Sequence, residues 1–134
     1  MLKQISIFAE NKVGSLEKII TLVAKEGIDF YNVISNDSAE YGIIRLLCSD
    51  PEQALKILQD AGYICKISIV LGVCISESVG SLSKLLDTVR GIRENINYLY
   101  VCYIRSSSEP VAILNVNDWE DVRDSLTAKG YKVL

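Results

Sequence analysis

The sequence predicts an α+β fold in which one βαββαβ unit is written twice. Residues 13–16 read Val-Gly-Ser-Leu, and residues 79–82 repeat them letter for letter. The correspondence continues, with one short insertion, to the last strand of each half. No linker rich in Gly, Pro or Ser separates the halves. Since a repeat of this length encodes one supersecondary unit, we expect two domains, 1–68 and 69–134.

The first strand and the first helix follow from two different periodicities. Ile5 and Ile7 alternate with polar residues, which predicts a half-buried strand. After Gly14 the apolar residues fall on one face of a helix, at Leu16, Ile19, Ile20, Val23 and Ala24. Gly27 is placed to end this helix.

The remaining elements of the first half are marked by turn and cap residues. Strands are predicted at residues 28–35 and 41–48, joined by a turn at residues 36–38 that reads Asn-Asp-Ser. Ser49 or Asp50 can cap the second helix, and Pro51 suits its first position. Gly62 stops that helix before a strand at residues 63–68.

The second half repeats the order of elements. We expect strands at 70–75, 96–105, 111–116 and 131–134, helices at 81–91 and 118–129, and a turn at 106–108. A βαββαβ order with two right-handed crossovers gives an antiparallel four-stranded sheet with both helices on one face. The fold class is therefore α+β, with two tandem ferredoxin-like units.

Composition excludes several classes of protein. Of the 134 residues, 49% are hydrophobic and 23% charged, which is typical of a globular domain and not of a disordered chain. The net charge of −3 and the scattered basic residues argue against a nucleic-acid surface. No apolar run reaches membrane-spanning length, and the N-terminus lacks a signal-peptide core. We expect a cytoplasmic protein that contacts neither nucleic acid nor membrane.

The cysteines and the absence of histidine limit the possible chemistry. Cys48, Cys65, Cys74 and Cys102 lie in apolar stretches and form no C-x-x-C pair, while the chain contains no His. A structural zinc site would need unusual spacing, and a His base is excluded. We expect reduced, buried thiols, no metal and no cofactor.

Several segments, in the same order in both halves, resemble the ACT domain. The matching segments are residues 10–16, 27–30, 50–54 and 62–63 in the first half, and residues 76–82, 95–100 and 130–131 in the second. The resemblance covers the whole chain and implies a small protein made of two tandem ACT domains. It further implies regulatory binding of a small molecule, usually an amino acid, where two such domains meet.

The resemblance places the ligand against the turn between the first strand and the first helix. Helix N-termini carry unpaired N–H groups and the positive end of the helix dipole, so a carboxylate can be received there. The implied ligand-binding residues are Asn11, Lys12, Val13, Gly14, Ser15, Leu16 and Asp29 in the first half, and Glu77, Ser78, Val79, Gly80, Ser81, Leu82 and Asn97 in the second. Because the residues before each Val-Gly-Ser-Leu differ, the two sites are expected to be chemically unequal.

Other interpretations of these residues stay open. Gly and Ser before a helix are also ordinary helix-start chemistry, so the chain could be an oligomerisation module without a ligand. An enzyme ranks third, because no nucleophile with an adjacent base is identifiable. Tyr98 and Tyr100 share one sheet face and are expected to pack on the other half or on a second subunit. The expected partners are an amino acid, a second copy of the chain, and a separate enzyme or regulator.

Overall fold

The computed structural model describes residues 1–35, 41–105 and 107–134 and divides into two compact units. The first unit is Lys3–Ser68. The second unit is Ile69–Leu134 together with Met1–Leu2. The predicted turn at 36–38, and Ser106 of the predicted turn at 106–108, lie outside the described residues.

The first unit has the predicted βαββαβ order. Its elements are β1 (Leu2–Glu10), α1 (Ser15–Ala24), β2 (Phe30–Ser35), β3 (Tyr41–Cys48), α2 (Pro51–Asp60) and the start of β4 (Ile64–Cys74). The strand order is β2-β3-β1-β4. β3 is antiparallel to both of its neighbours, with Ile5 opposite Leu46 and Glu10 opposite Tyr41.

Alternation along β1 determines which face of the first sheet meets the helices. Ile5 and Ile7 are fully buried and cluster with Ile19 of α1, Leu46 of β3 and Leu58 of α2. Asp50 caps α2, since its side chain accepts a hydrogen bond from the Gln53 backbone N–H at 3.1 Å. The predicted core stripe and cap therefore place both helices on one side of the sheet.

The second unit repeats this arrangement. Its elements are the remainder of β4, α3 (Ser81–Ile92), β5 (Ile96–Cys102), β6 (Val111–Val116) and α4 (Trp119–Ala128), in the strand order β4-β6-β5. Leu71 and Val73 of β4 pack with Leu85 of α3, Leu114 of β6 and Leu126 of α4. The α+β fold of two ferredoxin-like repeats is confirmed.

Four strand predictions need correction. The strands expected at 63–68 and 70–75 are one continuous strand, β4, because no turn residue interrupts the extended segment between them. β5 stops at Cys102 because the chain turns after it, with the Ser107 N–H bonded to the Ile104 carbonyl at 2.8 Å. The strand expected at 131–134 is a single bridge between Val73 and Val133.

All four cysteines are free thiols. Cys48 and Cys74 are buried, while Cys65 and Cys102 are partly buried. Burial raises the pKa of the Cys48, Cys65 and Cys102 thiols. Since the thiolate is the reactive form, these residues act as small apolar side chains.

Gly72 provides a stability prediction, because a side chain there has no room. A Cβ atom at Gly72 would lie 2.9 Å from Leu2 Cδ1 and 3.2 Å from Val111 Cγ1. We expect Gly72→Val to destabilise the protein by about 1–3 kcal/mol through overpacking, measured by urea unfolding. Gly91→Val is the matched control, since nothing lies within 4 Å of its Cβ position. Equal stability of the two variants would contradict the packing described for Gly72.

Candidate ligand-binding site

The turns that precede α1 and α3 have the same backbone geometry. Gly14 has φ +83° and Gly80 has φ +87°, both in the left-handed region that favours glycine. The Ser15 N–H bonds to the Lys12 carbonyl at 3.2 Å, and the Ser81 N–H bonds to the Ser78 carbonyl at 3.2 Å. The repeated sequence therefore specifies a repeated turn.

Neither turn supplies a side chain to cap the helix that it starts. Gly14 and Gly80 are the N-cap residues, and no side-chain cap hydrogen bond is formed at either position. The first-turn N–H groups of a helix have no intrahelical acceptor and carry its positive end. Because the Ser15 and Ser81 N–H groups are already bonded within their turns, the first-turn N–H groups that follow them are the backbone donors that each turn can offer to an anion.

A cavity of about 700 Å³ lies beside the Gly14 turn. This first cleft is bounded by residues 8–10 at the end of β1, residues 12–15, 17 and 18 at the start of α1, and residues 61–64 after α2. The N-terminus of α1 and the C-terminus of α2 thus border the same space. All of its walls belong to the first unit.

The first cleft contains charged groups of both signs. Lys12 Nζ lies 2.8 Å from Glu10 Oε2, and both side chains are exposed. The hydrogen bond and the charge of Lys12 lower the pKa of Glu10. Glu17 and Lys18 add a second carboxylate and a second ammonium group to the lining. The cleft therefore suits a ligand that carries both charges.

The same turn also borders a smaller cavity of about 360 Å³. Asn11 and Leu16 line this cavity together with Ser35 of β2 and Gly42 and Ile44 of β3. The structure thus separates the predicted residues of the first half. Lys12 and Ser15 border both spaces, whereas Val13 and Gly14 border only the first cleft.

The second unit has a cavity of about 350 Å³ at the Gly80 turn. This second cleft is bounded by residues 74–76, 78–81, Lys84 and Tyr131. The Ser81 hydroxyl donates to the Ser76 carbonyl at 2.6 Å. Among the residues that line this cleft, Lys84 is the only charged one.

Glu77 and Leu82 do not line the second cleft. The Tyr103 hydroxyl donates to Glu77 Oε1 at 2.9 Å, and this hydrogen bond raises the pKa of Tyr103. Leu82 packs against the core of the second unit. Ser78, Val79, Gly80 and Ser81 are the predicted residues that this cleft brings together.

Asp29 and Asn97 are not brought to either cleft. The Ser49 N–H donates to the Asp29 carbonyl at 2.9 Å, and the Asp29 N–H donates to Ser49 Oγ at 3.0 Å. Ser49 follows the end of β3 that lies farthest from the Gly14 turn. The Asn97 amide donates to Asn115 Oδ1 at 2.9 Å and to Asn117 Oδ1 at 3.0 Å. Both residues lie at the start of their strands, and the strand registers place those starts at the far end of each sheet.

The site includes residues that sequence reasoning missed. Phe8, Lys18, Tyr63 and Ile64 line the first cleft. The repeated Gly-Tyr at residues 62–63 and 130–131 was the available signal, since Tyr63 and Tyr131 border equivalent clefts. Sequence alone did not show that the end of α2 meets the start of α1.

The described residues contain neither a candidate metal cluster nor a helix suited to a membrane. Within 1–35, 41–105 and 107–134, no group of three or more His, Cys, Asp or Glu side chains could hold a metal ion. In the same part of the chain, no helix is long and apolar enough to cross a membrane.

Comparison with known proteins identifies the family. A family model described as an ACT domain pair matches residues 1–131, and the chain belongs to that family. No curated protein gives a significant match. The resemblance to ACT domains that the sequence predicted is therefore confirmed.

Solved structures show the same fold. Protein BT0572 from Bacteroides thetaiotaomicron is similar with a TM-score of 0.90 and 28% identity, over 99% of this chain and 91% of that one. The ligand-free regulatory subunit of aspartate kinase from Thermus thermophilus gives a TM-score of 0.69 and 16% identity, over 95% and 89% of the two chains. The corresponding subunit from Thermus flavus gives 0.64 and 17%, over 96% and 91%.

Proposed function

We propose that the chain is a non-catalytic regulatory protein that binds an amino acid at the strand-to-helix turns of its two ACT domains, 1–68 and 69–134. The observation that carries the proposal is the first cleft, where groups of both charges border one cavity. An α-amino acid carries one charge of each sign at neutral pH, and the cleft is complementary to that pair.

The carboxylate is received at the start of α1. First-turn N–H groups that no side chain caps provide oriented donors beside Gly14. Lys12 and Lys18 also line the cleft and add positive charge. Hydrogen bonds between charged groups and backbone donors are stronger than bonds between neutral groups.

The ammonium group is received by the carboxylates and by the end of α2. Glu10 and Glu17 line the cleft and can each accept from an ammonium group. Ala61, the C-cap of α2, also lines it, and the C-terminus of a helix carries partial negative charge. The positive N-terminal end of α1 and the negative C-terminal end of α2 therefore border one cleft, which is complementary to the two charges of a zwitterion.

The family and its structural neighbours support a regulatory role. Two neighbours are described as regulatory subunits of aspartate kinase. By analogy, we propose that this chain works in the cytoplasm as a homodimer. Ligand binding then changes its association with a separate enzyme or regulator. A monomer in light scattering at tens of micromolar would contradict the dimer.

Thermal-shift screening against the twenty amino acids tests the proposed function. A ligand that binds only the folded state raises its stability by about 2.7 kcal/mol at 100 times the dissociation constant, so at least one amino acid is expected to raise Tm. Lys12→Gln is expected to weaken that shift, whereas Lys129→Gln, an exposed change outside the clefts, leaves it unchanged. No shift with any amino acid at millimolar concentration would favour the oligomerisation module instead.

A further inference from the structure

The two clefts occupy equivalent places in the repeat but differ in lining. Counting from Gly14 and Gly80, the positions of Glu10 and Lys12 are filled by Ser76 and Ser78 in the second half. The second cleft consequently lacks the ion pair of the first. It also has about half the volume, 350 Å³ against 700 Å³.

The same comparison shows that two large, exposed apolar residues of the first cleft, which form its apolar wall, have no counterpart of that kind in the second cleft. Phe8, at the end of β1, is 47% exposed, and Ile64, at the start of β4, is 74% exposed. Both line the first cleft beside Tyr63. Their counterparts in the second half are Cys74 and Lys132. The wall and the ion pair therefore occur together in one cleft.

The charges and the apolar wall border one cavity in the first cleft. Glu10, Lys12 and Lys18 lie toward the turn, whereas Phe8 and Ile64 lie on the paired strands. A volume of about 700 Å³ exceeds what the charged α-carbon groups of an amino acid occupy. Phe8 and Ile64 are large, solvent-exposed apolar residues of the same lining.

We propose that the first cleft selects an amino acid with a large apolar side chain, and that the second cleft does not share this preference. This inference rests on the proposed function and specifies its ligand class. The charged groups of the ligand occupy the Gly14 end, and its side chain covers Phe8 and Ile64. Covering these residues removes apolar surface from water, which stabilises the complex. A charged ligand side chain would lose its hydration there without gaining a partner.

Calorimetric titration with leucine, phenylalanine, alanine and aspartate tests the inference. We expect leucine or phenylalanine to bind at least about tenfold more tightly than alanine, since small differences in apolar contact have effects of that size. Ile64→Lys, which installs the residue of the second half, should weaken leucine binding about tenfold and leave alanine binding unchanged. Phe8→Ala should act in the same direction.

The controls separate this inference from the proposed function. Val101→Ala changes an apolar side chain of β5 that is 43% exposed and lines neither cleft, and it should leave leucine binding unchanged. Because Ile64 is largely exposed, its replacement does not threaten folding. Equal affinities for alanine and leucine, or unchanged leucine binding in Ile64→Lys, would overturn the selectivity and leave the proposed function standing. No binding by any amino acid would overturn both.

Discussion

Gly14→Val is expected to abolish amino-acid binding at the first cleft while the protein still folds. Gly14 has φ +83°, and a residue with a side chain in this left-handed region is strained by about 1–2 kcal/mol. No atom lies within 4 Å of the Cβ position, so the new side chain meets no folded neighbour. It would instead occupy open space at the mouth of the cleft that Gly14 lines.

Calorimetry with the amino acid found by screening measures this effect. We expect at least a tenfold loss of affinity, which corresponds to about 1.4 kcal/mol. Gly80→Val is the matched control, because Gly80 has φ +87° and also has no atom within 4 Å of its Cβ position. Both variants should lose similar stability, but only Gly14→Val should lose binding at the first cleft. Normal binding by Gly14→Val would mean that the turn does not receive the ligand.

Leu58→Ala is expected to cause the largest loss of stability. Leu58 lies on α2, has no exposed surface and packs in the core of the first unit with Ile5, Ile19 and Leu46. Truncation of a fully buried leucine removes apolar contacts and leaves a cavity, at a cost of about 2–5 kcal/mol. The midpoint of urea unfolding should fall accordingly.

Two other leucines, one buried and one exposed, serve as comparisons for Leu58→Ala. Leu126 occupies the equivalent place on α4 and is also fully buried, so Leu126→Ala should cost a similar amount. Leu86 on α3 is 39% exposed, and its truncation should cost much less. If Leu58→Ala and Leu86→Ala unfolded at the same urea concentration, the assignment of Leu58 to the core would be wrong.

Local chemistry explains why so much of the fold could be predicted from sequence. β3 and β6 have the predicted boundaries, because each is a short, mostly apolar run bounded by turn and cap residues. Asp50 and Pro51 define the start of α2 through a side-chain cap and a fixed φ. Asp118 also stands at the N-cap of α4 but makes no side-chain cap bond. Cap position was thus predictable, whereas cap geometry was not.

The candidate site was less predictable because it joins distant parts of the chain. The Gly14 turn could be found from its repeat, but its cleft also needs Tyr63 and Ile64, which follow α2. Asp29 follows α1 closely in the sequence. The pairing of β3 with both β1 and β2 nevertheless places it at the end of the sheet farthest from the Gly14 turn. Strand register, which no local motif specifies, decides which residues share the cleft.

Backbone amide shifts during an amino-acid titration test the central claim most directly. In ¹H–¹⁵N spectra of the whole chain titrated with leucine, we predict the largest changes at the amides of Gly14, Ser15 and Leu16. The shifts of all three amides should fit a single dissociation constant. The amides of Gly80 and Ser81 serve as internal reference, because their turn has the same geometry but a smaller and differently charged cleft. Unchanged amides at residues 14–16, under conditions where leucine binds elsewhere on the chain, would contradict the placement of the ligand at this turn.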